Sequence, residues 1–202
     1  MKNFYFILSL SFFTTNSFAQ LEKGTKLVGG SGSFYSYTEN YSNNQSYSQT
    51  AKYTNIDLNV TMGYFIIDKL VVGIKPSYSS FKGEVVSSNA GSGGKTNSYK
   101  IAVGPFTRYY FLKSDKPFNM LAEASYQTGI NKFLGVLKEK GKYSTLSFLV
   151  GPEIFFNDTA GLEFLFGYSN RLVTIDNTSG AFENKKSGLQ ISIGITLHLD
   201  KL

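Results

Sequence analysis

The chain has no cysteine and no tryptophan, only four prolines, and no apolar run of helical spanning length after its first twenty residues. Without cysteine there is no disulfide framework and no thiol-ligated metal site. Without a later run of about 20 apolar residues it is not a helical inner-membrane protein. Charge is also sparse, at 17% of 202 residues. The net charge of +6 falls to +5 when the N-terminal segment is removed, because Lys2 is its one charged residue. The lysines are scattered and form no dense basic run, so no nucleic-acid partner is expected. A single histidine, His198, cannot by itself form a metal site, which needs several converging ligands.

What is abundant points in one direction. Glycine (20), tyrosine (14) and phenylalanine (18) are frequent. Residues 1–19 read as a signal peptide: Lys2, a short apolar run from Phe4 to Phe13, then small residues at Ser17 and Ala19 before Gln20. The mature domain is expected to be 20–202. From Lys26 onward the chain divides into eight segments with period-two alternation, the pattern of strands. In one segment Ile56, Leu58, Val60, Met62 and Tyr64 share a face, with Asp57, Asn59, Thr61 and Gly63 opposite. In the last, Leu189, Ile191, Ile193, Ile195, Leu197 and Leu199 alternate with Gln190, Ser192, Gly194, Thr196 and His198. The first segment leaves two facings open, with either Leu27 and Gly29 or Val28 and Gly30 inward.

Connections alternate in length. Ile67-Asp68, 113–117 and 157–160 are short, whereas 38–51, 83–98, 132–142 and 175–185 are long and polar. Alternation does not say which face is inside, but three features favour lipid outside. The polar faces carry glycines suited to a crowded lumen. The apolar faces are almost free of charge, and aromatics gather beside the short turns, as in an interfacial girdle. Closure would satisfy every backbone group in hydrocarbon. The expected fold is all-β: an eight-stranded antiparallel up-and-down transmembrane β-barrel with short periplasmic turns and long extracellular loops. A soluble sandwich is the competing reading.

The processing site Phe18-Ala19-Gln20, the opening Lys23-Gly24-Thr25 and the paired motifs Val103-Gly104-Pro105 and Val150-Gly151-Pro152 carry a resemblance. The mature chain resembles the small porin-family, OmpA/OmpX-like outer-membrane barrel domains of Gram-negative bacteria. It departs from them at the C-terminus, which ends in Leu202 rather than an aromatic residue. The resemblance implies residence in the cell outer membrane, contact with outer-membrane lipid and lipopolysaccharide, and insertion by the barrel assembly machinery.

Strand parity turns seven charges inward: Asp57, Lys75, Arg108, Glu123, Glu153, Glu163 and Arg171. Arg108 is expected beside Glu123, with Glu153 and Glu163 close by. Asp57 and Lys75 are expected to pair across their hairpin. These form a structural lumen network, since buried charges must be paired. His198 is inward at the periplasmic end, far from an external rim where an enzyme would work. No catalytic, cofactor or metal site is assembled from these residues, and Gly91 to Lys95 lacks the spacing of a phosphate-binding loop. The expectation is a non-enzymatic outer-membrane protein acting through its external loops. A small porin-like channel for ions or small solutes is the alternative.

Overall fold

The computed structural model describes residues 21–42, 48–88, 94–113, 117–134, 139–177 and 180–199. Residues 1–20, where the export signal is expected, the last three residues and parts of five connections lie outside that set. So do most of the Gly91 to Lys95 stretch and the centre of the Tyr- and Ser-rich first loop. Ten strands are present: β1 (Lys26–Ser42), β2 (Ser48–Ile67), β3 (Leu70–Ile74), β4 (Ser77–Ser88), β5 (Lys95–Val103), β6 (Pro105–Tyr110), β7 (Phe118–Leu134), β8 (Glu139–Phe155), β9 (Ala160–Asn177) and β10 (Gly180–Leu199).

These ten make eight staves. β3 and β4 are one stave interrupted at Lys75-Pro76, and β5 and β6 are another interrupted at Gly104. Every neighbouring pair is antiparallel, and β1 closes the ring by pairing with both β2 and β10. Two interruptions lie side by side, bridged by the Lys75 N–H donating to Gly104 O at 2.8 Å. Proline has no N–H for the ladder, so a strand with Pro76 or Pro105 breaks or bends there. Gly104 is required at its kink because a Cβ would collide with the carbonyl oxygen of Tyr126. The second Val-Gly-Pro copy marks another irregularity, since the β8–β9 ladder skips Gly151 and Pro152. The repeated motif is therefore a bending device.

The short turns at 67–68 and 157–160 form as expected, while the centre of the third, 114–116, lies outside the described residues. Lys69 takes a left-handed φ of 66° in the β2–β3 turn. Asn157 Oδ1 accepts from the N–H groups of Thr159 and Ala160 at 2.9 and 2.7 Å. The long connections lie at the opposite end, and much of each is strand. Segments at 38–42, 48–51, 83–88 and 95–98 continue the ladder as hairpin arms. These arms were hidden in the sequence because beyond the apolar belt both faces are polar, so alternation fades although pairing continues.

Outward positions are apolar over a band of fixed height. Residues Ile56 to Ile66 and Leu189 to Leu199 each supply six exposed apolar side chains over eleven residues, about the 9–11 residues a tilted strand needs to cross hydrocarbon. Tyr64, Tyr109, Phe111, Phe118 and Phe156 are exposed at the short-turn end. Phe65 and Tyr110 also flank the short turns, where the sequence placed a girdle of aromatics, but they are fully buried inside the barrel, and Phe155 packs against the interior cluster. Each follows a girdle aromatic by one residue or precedes it, and parity turns it inward.

β1 settles its facing with Leu27 inward and Phe34 outward, at 0% and 69% exposure. Its two ladders are unequal. It pairs with β2 from Lys26 to Ser42 but with β10 only from Lys26 to Ser31. Toward the long-connection end, the β1–β10 seam is open.

Candidate functional site

The lumen has two halves of different character. The half near the short turns is filled. Leu21 from the N-terminal segment enters it and packs with Leu27, Phe65, Val71, Phe106, Tyr110, Leu121, Leu149 and Leu165. The segment is held by backbone bonds from Lys69 N–H to Leu21 O and from Gly24 N–H to Phe65 O, at 2.8 and 2.9 Å. The Asp68 carboxylate also accepts the N–H of Lys23 at 2.8 Å.

A charged network lies against this apolar plug. The register sets Arg108 on β6 opposite Glu123 on β7, and Glu153 on β8 opposite Glu163 on β9. Arg108, wholly buried, reaches Glu123 Oε2 through Nη2 at 2.7 Å and through Nε at 3.2 Å. Its Nη1 lies 2.9 Å from Glu163 Oε2. One planar fork thus serves two carboxylates, a geometry for which guanidinium is suited and ammonium is not. Lys75 provides the second cation, and its ammonium bonds Glu123. The expected pairing of Lys75 with Asp57 is not formed. The kink at Pro76 separates Lys75 from the β2–β4 ladder and brings it to Glu123. Asp57 instead accepts from Ser33 and Asn55.

Glu153 has other partners. Tyr110 donates to it at 2.7 Å, Thr196 also donates, and His198 Nε2 lies 2.8 Å from Oε1. The His198 ring is packed among Phe65, Phe155 and Tyr110, with centroids 5.8, 5.3 and 6.1 Å away. Parity already turned His198 inward; its placement against Glu153 was missed, as was the role of Tyr110. The signal was available in the β9–β10 register, which sets Gly161 opposite Thr196 and Glu163 opposite Gly194. Glu153, Thr196 and His198 are each at most 1% exposed. Among the described residues, no group of three or more His, Asp or Glu side chains has the arrangement of a metal site.

The outer half of the lumen is a cavity of about 550 Å³. Ser33, Asp57, Lys100, Gln127, Tyr143 and Arg171 are among its lining. Asp57 and Arg171, expected in the same network as the other five charges, belong to this cup. They sit further along the strands, beyond the kinks. Gln127 is the floor, donating to Lys75 O at 2.7 Å and so separating the cup from the network. Lys100 and Arg171 both lie against the ring of Tyr143, at 5.6 and 5.5 Å from its centroid, where the aromatic quadrupole favours cations.

No protein-family model matches the chain, and no curated protein matches it. Among solved structures, it is similar in chain path to the outer membrane protein OprG from Pseudomonas aeruginosa. The two are 13% identical, the match covers 89% of this chain and 98% of that one, and the TM-score is 0.46.

Proposed function

We propose that this chain is a non-enzymatic integral protein of the outer membrane, of the small OmpA/OmpX-like kind, whose external hairpin arms carry its interactions. The observation that supports the membrane assignment is the belt of exposed apolar side chains around a closed ring. Phe148, Phe166, Leu58 and Ile193 are 50–57% exposed at mid-height. A soluble monomer rarely tolerates so continuous an apolar surface, and a closed antiparallel ring is the β-structure that hydrocarbon accepts. The same reading makes outer-membrane lipid and lipopolysaccharide its surroundings, the barrel assembly machinery its insertion route, and residues 1–19 a cleaved export signal.

The porin-like alternative requires a continuous aqueous path. The plug of Leu21, Phe65 and Tyr110 and the Arg108 network occupy the short-turn half of the lumen, which favours a closed barrel. Planar-bilayer recording on the purified protein separates the two. The closed barrel gives no steady unitary conductance; a reproducible conductance step would replace it with the channel reading.

A further inference from the structure

We infer that the outer cup and the open seam form a binding site for a single-chain amphiphile with an anionic headgroup, its head in the cup and its chain leaving sideways into the surrounding lipid. The inference rests on the barrel lying in a membrane.

Three observations converge on it. The first is the seam. In the closed part Gly30 faces Ile195 and Ser31 faces Gly194, and the ladder stops there. A Cβ placed on Gly32 would touch only β2 atoms, from Leu58 and Asp57, and one on Gly188 would meet nothing within 4 Å. The β10 lip is correspondingly bare, with Leu189 and Ile191 at 92% and 81% exposure. The second is continuity. Ser33 on one lip and Ile191 and Ile193 on the other line the same cavity as Lys100 and Arg171. A polar cup therefore opens directly onto an apolar sill. Its volume of about 550 Å³ falls within the range of roughly 300–1,000 Å³ of small-molecule sites.

The third is charge. Lys100 and Arg171 share the cup with one carboxylate, Asp57, whose Oδ2 is already bonded by Ser33 and Asn55. Among the described residues neither cation makes an ion pair; each is held against Tyr143 instead. Lys186 stands opposite Arg171 in the β9–β10 register and adds a third positive charge at that level. Unpaired strand edges are tolerated at membrane depth only where they border water or protein. An anionic head accepts hydrogen bonds from such an edge and from both cations. The apolar chain meets Leu189, Ile191, Ile193 and Phe34 at the mouth. A fatty acid and a lysophospholipid share this chemistry.

The test is equilibrium binding of radiolabelled palmitate to the mature full-length barrel in non-ionic detergent, with heat-shift electrophoresis on every variant to confirm folding. Saturable binding of one palmitate per barrel is expected. Lys100→Gln with Arg171→Gln weakens it at least tenfold. Hexadecanol, with the same chain and no charge, competes at least tenfold more poorly. Ser192→Trp, which fills the mouth, abolishes it. Replacing palmitate by 1-palmitoyl lysophosphatidylglycerol distinguishes a carboxylate head from a phosphate head, and tighter binding of either supports the site. A folded, outer-membrane barrel that binds neither probe saturably, or binds them equally well after both cations are neutralised, overturns the site and leaves the membrane assignment intact. Recovery of the protein as a soluble periplasmic species overturns both.

Discussion

Removing Arg108 alone should be among the most damaging single changes in the barrel, and removing the charge it balances should repair much of the damage. Arg108 is wholly buried, with Glu123 at 2.7 Å and Glu163 at 2.9 Å. In Arg108→Met, Lys75 still serves Glu123, but Glu163 loses its ion-pair partner while 5% exposed. Breaking a buried pair from one side costs about 3–5 kcal/mol. Adding Glu163→Gln leaves a neutral amide, and the remaining cost should fall to about 1–3 kcal/mol, that of an imperfectly bonded buried polar group. The assay is urea unfolding of the barrel in lipid vesicles, followed by circular dichroism and by the fraction migrating as the folded band. An Arg108→Met barrel within about 0.5 kcal/mol of the parent, the range of an ordinary surface substitution, would refute the reasoning. So would a double variant no more stable than the single one.

Three further outcomes follow from other parts of the molecule. Phe148→Arg, at the outward mid-belt, should lower stability by about 2–4 kcal/mol, whereas Ser147→Thr, one residue away and inward beside the cavity, keeps its hydroxyl, brings no charge into hydrocarbon and should cost clearly less; equal effects in vesicle unfolding would contradict the facing. His198→Ala removes a partner of buried Glu153 and should cost about 1–3 kcal/mol, with no change in the heat-shifted band at low denaturant. Gly104→Val puts a branched side chain against the Tyr126 carbonyl and should abolish the folded band altogether, while Gly94→Ala, where a Cβ meets nothing within 4 Å, should leave it unchanged.

The ring was legible because facing in a strand depends only on parity, and the tight turns fix which residues oppose each other. That is why Arg108 beside Glu123, and Glu153 beside Glu163, were readable from spacing alone. Two kinds of feature escaped. One depends on contacts across the lumen between staves that are not neighbours, as in Tyr110 reaching Glu153 or Ser147 facing Gln190 at 3.4 Å; pairwise register says nothing about these. The other depends on where a ladder stops. The Val-Gly-Pro repeat was visible as a motif, but its bending role needs Lys75, Pro76 and Gly104 side by side in adjacent staves. The open seam was hidden for a similar reason. Gly30, Gly32, Ile193 and Ile191 are compatible with pairing, and only the three-dimensional path shows that the later ones stay apart.

The central claim is a closed barrel with its apolar face in the outer membrane, and the most direct measurement is electrophoresis of that membrane fraction with and without boiling. The account predicts that the protein is recovered there and that unboiled samples keep the barrel intact in SDS, running at a mobility distinct from the boiled chain. A protein recovered from the periplasm with a single mobility under both conditions would contradict it, and would turn the apolar face inward.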